Sequence, residues 1–374
     1  MRISLSLTLT VLVSLIVMSS GMLAAPPVET KSKLFKFNAS TKPDLPSVKG
    51  DHFKVYQATV DSFKFCHHPC LIDYRGKLFA MWSNGKIHED AEGQRLLISD
   101  STDGERWCKP RALFEGGDDK IFVAAGLSVV SEKLVAWFTI TGGTNFNPNT
   151  ALYFSTSDDG NSWTSPTKVT SGFFINPPVQ LHNGRWIMGG EYTDPHRDTK
   201  RMKILVTMEL LVPTSWKEVT IPIDDVSVIG YAEPNFIARE HDTVALLRNY
   251  SGKLYAAQST DGEEWTTAEQ TAIPDSTARF ATGKLPSGTY FLINNATNKQ
   301  FDRSALVMTL SNDGRKLTRG MIVRSEPTKM RFDGKHKLDG WQYPHAHVWG
   351  DYLYVIYSVN KEDVFVTRIP LKRL

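Results

Sequence analysis

Apolar residues in this chain fall in short runs that alternate with polar punctuation. Stretches such as 77–83, 133–141, 243–249 and 352–359 are rich in Val, Ile, Leu, Tyr, Phe and Trp, and they are bounded by Gly, Asn, Asp and Ser. That pattern predicts short strands joined by tight turns. No stretch repeats its apolar positions at helical spacing over a useful length. The runs gather in groups of about three, opening near His67, Val123, Asn176, Glu233, Ala278 and Tyr343.

One seven-residue phrase, Ser-x-Asp-Gly-x-x-Trp, sets the period. It occurs at 101–107, 157–163 and 259–265, and again at 311–317 with Leu in place of Trp. Asp103 and Asp159 are 56 apart, Asp261 and Asp313 are 52 apart, and Trp216 marks a degenerate copy in the gap between. A period near 50 residues means stacked, similar units. Asp-Gly after an apolar strand is turn chemistry: Asp bonds nearby backbone N–H groups, and Gly takes positive φ without steric cost. Asp103, Asp159, Asp261 and Asp313 are therefore read as structural, with the Trp packing over the turn as a staple between outer strands.

Six units of about four strands predict an all-β, six-bladed β-propeller. The last unit lacks a fourth strand. Residues 52–60 (HFKVYQATV) can supply it and close the ring, which removes an exposed edge. Irregular inserts at 193–200 and 326–337 leave seven blades as an alternative.

Composition refines this picture. The 374 residues suit one large repeat domain, 51–374, and the net charge of +3 implies no field for nucleic acid. Residues 1–25 read as an export signal: Arg2, an apolar run over 5–18, and small residues at Ala24 and Ala25. The run is too short to span a bilayer, and no later segment is long enough, so no transmembrane segment is expected. A secreted or periplasmic address follows. Residues 26–50, rich in Pro, Lys and Ser, read as a linker or surface-running lead-in. Three cysteines, Cys66, Cys70 and Cys108, leave an odd thiol. Cys66 and Cys70 would lie roughly 13 Å apart if extended, too far for a disulfide. Cys-His-His-Pro-Cys lacks a second ligand cluster, so no metal and no cofactor are expected.

The first strand of each blade lines the central channel, so polar residues at the unit openings converge on one mouth. They are His67 and His68, Asn176, Glu233, Arg279, and Tyr343 with His345 and His347; Arg248 follows on a second strand, and Asp90 sits in a loop beside His88 and Glu89. Two guanidinium forks in one cavity suit a carboxylate. A Tyr beside a Glu that draws its proton is an activated nucleophile. An Asp on a loop can serve as an acid if closure raises its pKa.

These residues resemble those of the sialidase superfamily, whose turn phrases are called Asp boxes. The resemblance covers the chain from about residue 52 to the end. It implies Tyr343 as nucleophile, Glu233 as its partner base, Asp90 as acid, and Arg248 and Arg279 as two of three arginines that clamp a carboxylate. The pattern departs at the first blade. The family opens it with Phe-Arg-Ile-Pro; here the stretch is Cys66-His67-His68-Pro69, with His67 in the place of the third arginine. That opening is similar to propellers that act on uronic-acid glycans by elimination. His67, His68, His345 and Asn176 complete the expected substrate-binding set. The partner is an acidic oligo- or polysaccharide; oligomeric state is left open. Three functions follow: hydrolysis of an acidic sugar linkage, β-elimination of a uronic-acid glycan, or a propeller that binds glycan or protein without turnover.

Overall fold

The computed structural model describes residues 26–38, 40–143, 148–193 and 202–374. The expected export signal lies outside these, as does all but Thr193 of the insert at 193–200. Among the described residues no helix is long and apolar enough to cross a membrane.

Six antiparallel sheets stand around a channel. The first blade runs Phe65–Tyr74, Lys77–Gly85, Arg95–Ser101 and Arg111–Phe114, each strand pairing with the next. The second (Ile121–Val130 to Thr167–Ser171), fourth (Asn235–Ala238 to Glu269–Pro274) and fifth (Ala281–Lys284 to Arg319–Arg324) repeat the plan. In the third, the inner strand is split into Phe173–Phe174 and Val179–Gln180, both pairing with Trp186–Glu191. The sixth holds Trp341–Trp349, Tyr352–Val359 and Asp363–Pro370, and its outer strand is Asp51–Tyr56 from the start of the chain. The ring closes as expected, at six blades. Residues 326–340 add no strand; they form a loop over one mouth, tied down by the Lys337–Glu362 ion pair at 2.9 Å, both side chains fully buried.

The blades are held together face to face. Each sheet buries alternate residues against both neighbours. Phe79 and Met81 meet Phe122 and Phe138 between the first two blades, and Trp82 and Leu97 meet Tyr354 and Ile356 between first and sixth.

The repeated phrase stitches these interfaces. In each copy the Asp Oδ1 accepts two backbone N–H groups, as Asp103 does from Glu105 at 2.9 Å and Arg106 at 2.8 Å. Its Trp joins the interface with the preceding blade, as Trp163 does between first and second blades and Trp265 between third and fourth, and Trp265 Nε1 also donates to the Gly262 carbonyl of its own turn at 3.0 Å. Leu317 replaces the fourth Trp, and Val28 fills the space beside it. Residues 26–50 are thus no free linker. Glu29–Thr30 pairs in parallel with Lys316–Leu317, and Ser47 bridges Ile322, strapping the segment along the fourth and fifth blades. All three cysteines are free; Cys66 and Cys70 are buried and Cys108 is exposed.

The glycine of each phrase is wedged as well as twisted. Gly160 has φ +75, and a Cβ there would lie 2.5 Å from the Phe79 ring of the preceding blade. Gly288 has φ +88 with nothing within 4 Å. Gly288→Ala is expected to cost about 1 kcal/mol, for the φ alone, and Gly160→Ala about 2–4 kcal/mol, because the buried ring must also shift. Urea unfolding of both variants measures the difference. Equal losses would mean that the phrase holds a turn and contributes nothing between blades.

Candidate active site

Three inner strands break at the same place, and each break aims a side chain into the mouth. His68, Glu233 and Tyr343 each precede a proline and each have positive φ, 50°, 41° and 58°. Proline removes a ladder donor. The pairing register slips between His67 and Cys70 and between Gln342 and His345. Such bulges re-aim side chains. Left-handed backbone is costly for residues other than glycine, and such strain gathers at functional sites. Here it gathers at one cavity of about 410 Å³. Nine of its lining residues have positive φ, including Asp90, Thr277 and Lys361.

At its centre, Arg248 Nη1 stands 2.7 Å from Glu233 Oε2 and donates to the Tyr343 hydroxyl at 3.3 Å. Glu233 and Tyr343 therefore share one guanidinium nitrogen, and no direct bond between them is among those described. The Glu233 contact is a charge contact and not an aligned hydrogen bond. Burial pushes the Glu233 carboxyl up, against the pull of Arg248. Arg248 Nε has no hydrogen-bond partner.

Arg303 faces Tyr343 from another side, its guanidinium carbon 5.6 Å from the ring centre. Its Nη2 donates to the Thr277 carbonyl at 2.6 Å, while Nε and Nη1 are buried without partners. No protein atom accepts from these two N–H groups, so they are available to an acceptor that enters the cavity.

Opposite lies a mixed cluster. The His67 ring stacks on His68 with centroids 3.7 Å apart and meets the Tyr343 ring edge-on at 3.9 Å. His67 Nδ1 is 2.8 Å from Glu89 Oε1, and Glu89 Oε2 is 2.8 Å from the Lys361 ammonium. Burial, then Lys361, brings His67 down to about 3, and burial with its neighbours holds His68 well below the usual value. Both rings are neutral. Burial alone would raise Glu89; Lys361 and His67 outweigh it and hold the carboxylate well below its ordinary range. Asp90, next in sequence, goes the other way. Burial and the Glu89 charge push it up to about 7, although Gln94 Nε2 donates to Asp90 Oδ1 at 2.9 Å. Two adjacent carboxyls are thus driven in opposite directions by their surroundings, the kind of pair in which one can carry a proton while the other stays ionised.

The expected site residues divide in two. Tyr343, Glu233, Asp90, Arg248, His67 and His68 all line the cavity. Arg279, Asn176 and His345 do not. Arg279 is buried beneath the floor, where Nε donates to Asn176 Oδ1 at 2.8 Å and Nη1 reaches the Pro69 carbonyl at 3.4 Å. Two of its three guanidinium nitrogens are turned along the channel and bonded to the protein, and it lines no part of this cavity, so the expected clamp role does not fit its place. His345 lies two residues beyond Tyr343 on a strand that rises about 3.3 Å per residue, and so opens on the far end of the channel. Asp103, Asp159, Asp261 and Asp313 sit in turns away from this cavity. Arg303 and Lys361 also line the cavity and stand at no unit opening. Both lie in connections between second and third strands, as do Arg248 and Asp90; that shared position was the available signal. Among the described residues no group of three or more His, Cys, Asp and Glu is placed to hold a metal ion.

A six-bladed ring with repeated Ser-x-Asp-Gly turns and a Tyr, Glu and Arg mouth defines a sialidase-type propeller. The chain belongs to the BNR repeat-like domain family, whose pattern matches residues 76–355. No curated protein matches it in sequence. Among solved structures, a sialidase superposes with a TM-score of 0.68 at 18% identity, covering 92% of this chain and 35% of that one. The NanB sialidase of Streptococcus pneumoniae matches at 0.63 and 12%, covering 86% and 70%. Trypanosoma rangeli sialidase matches at 0.65 and 11%, covering 85% and 59%. The chain thus spans about a third of the length of the first of these. At such identities the likeness is one of fold.

Proposed function

We propose that this protein is an exported carbohydrate-active enzyme that hydrolyses the linkage of a terminal acidic sugar. The observation that carries the reading is the pair of buried guanidinium groups with unpartnered N–H groups on either side of Tyr343, Arg248 at its hydroxyl and Arg303 facing its ring. A sugar carboxylate would satisfy them and hold the anomeric carbon over Tyr343. The phenolic oxygen attacks that carbon, its proton passes to Glu233, and the C–O bond to the leaving group breaks as Asp90 protonates the departing oxygen. Water, deprotonated by the Asp90 carboxylate, then attacks the same carbon, and the phenolate leaves and recovers its proton from Glu233. A Tyr nucleophile is a known exception to the two-carboxylate plan.

The neutral His68 imidazole beside Tyr343 supports a second reading. In β-elimination a neutral base removes the proton next to a uronate carboxylate, the electrons form a C=C bond as the C–O bond to the leaving sugar breaks, and the departing oxygen takes a proton from the Tyr343 hydroxyl. Incubating the protein with sialylated and uronic-acid glycans tests both. Reducing ends or free acidic sugar without ultraviolet absorbance support hydrolysis; absorbance of an unsaturated uronate with each new end supports elimination; retention of glycan without either product leaves a binding protein.

Hydrolysis has a pH signature. Asp90 must carry its proton to donate it, so kcat/KM is expected to fall about tenfold per pH unit above about 7. Glu233 must be ionised to take a proton, so a second limb falls on the acid side, displaced upward by burial. Asp90→Asn should remove the alkaline limb, most clearly on substrates with poor leaving groups. An unchanged alkaline limb in that variant would assign the acid elsewhere.

A further inference from the structure

A second, larger basin of about 640 Å³ opens at the opposite end of the channel, built from the inner edges of all six blades. Arg279 separates it from the upper cavity, bonded across the channel to Asn176 and the Pro69 carbonyl. Its polar groups are arranged rather than scattered. His347 Nε2 stands 2.7 Å from Asp73 Oδ1 and 3.2 Å from the Asp73 amide nitrogen, and the contact with His347 holds the Asp73 carboxyl below its ordinary range. His345 Nδ1 accepts the Leu71 amide at 3.2 Å, which leaves the ring proton on Nε2, facing the basin. Trp186 and the Pro177–Pro178 pair line another side.

We propose that this basin is a second glycan-binding site, one that takes an uncharged sugar residue. Sugar hydroxyls present donors and acceptors side by side. Asp73, 47% exposed at its side chain, accepts from them, and the His345 N–H donates to them. An indole beside prolines offers the flat apolar surface on which the C–H face of a sugar ring packs. The volume lies within the range of small-molecule sites. The Asp73 carboxylate disfavours an acidic sugar here, and Arg75 is drawn aside over the Tyr74 ring, its guanidinium carbon 5.2 Å from the centre. The inference is independent of the chemistry assigned to the upper mouth.

Binding of maltotetraose, cellotetraose and β-1,4-galactotetraose to the full chain, measured by calorimetry and ligand-observed NMR, tests it. The Tyr343→Phe protein is used so that nothing is turned over. At least one of these sugars is expected to bind saturably. His347→Ala and Trp186→Ala should each weaken it tenfold or more, and Arg303→Ala should leave it unchanged. Trp186 also packs on the neighbouring core, so Asp73→Asn, which keeps shape and packing, serves as the second variant. Failure of all three sugars to saturate overturns the proposal. So does binding that survives His347→Ala and Asp73→Asn, or that is lost in Arg303→Ala.

Discussion

Tyr343→Phe should lower kcat on an acidic glycoside by about 10³–10⁵-fold and leave the fold intact. The substitution removes one oxygen from a buried ring. The ring contacts with His67 at 3.9 Å and with the Lys361 ammonium at 5.1 Å remain. What disappears is the proposed nucleophile and the acceptor of one Arg248 hydrogen bond. Removing the nucleophile of a covalent mechanism costs many orders of magnitude, because the steps that depend on it fail together. KM should change little, since Arg248 and Arg303 still meet the carboxylate. Single-turnover and steady-state rates on one aryl glycoside, alongside the thermal midpoint, measure this. A Tyr343→Phe enzyme within tenfold of the parent would rule out tyrosine attack. A large loss accompanied by unsaturated product in the parent would make Tyr343 a proton carrier in elimination.

The parts of this molecule that repeat were legible in its sequence; the parts that occur once were not. The Ser-x-Asp-Gly turns announce themselves because each copy solves the same local problem, two orphan N–H groups and a positive φ. The strand at 51–56 is legible because a ring needs a last strand. Tyr343, Glu233 and His68 are legible because the inner strands open alike, each with its proline. Arg303 and Lys361 sit in connections whose only common property is their end of the blade, and no period runs through them. Arg279 misleads for a related reason. It stands two residues before its strand, Ala281–Lys284, as Glu233 stands before Asn235–Ala238, yet its side chain turns along the channel and bonds Asn176. Position in a repeat says which mouth a residue is near. It does not say which way a long side chain lies, and burial plus hydrogen bonding decide that.

The exchange of an arginine for His67 raises the question of what now balances charge on that side of the mouth. Because His67 is neutral, it cannot act as a third clamp. Lys361 carries a charge there, but Glu89 holds it at 2.8 Å. The local sum of Lys361 and Glu89 is zero, so among the residues that line the cavity a substrate carboxylate would meet positive charge from Arg248 and Arg303. Arg248 in turn is partly neutralised by Glu233.

Under the proposed function, Arg303 is the residue on which acid recognition would rest. Arg303→Ala should lower kcat/KM for a carboxylated substrate by about 10²–10³-fold, which is about 3–4 kcal/mol, within the range for removing one partner of a buried, hydrogen-bonded charge pair. Most of the loss should appear in KM, because the carboxylate is held equally in ground and transition states. The methyl ester of the same substrate, which has no charge to lose, should show at most a few-fold change. Arg303→Lys should recover only part, since an ammonium keeps the charge but cannot offer the planar fork. Arg279→Met is the contrasting variant. It severs the bonds to Asn176 and the Pro69 carbonyl and should lower the thermal midpoint, with no selective loss for the acid over its ester. If Arg279→Met instead discriminated acid from ester and Arg303→Ala did not, the clamp would lie beneath the floor, and the cavity around Tyr343 would have to take its substrate in another orientation.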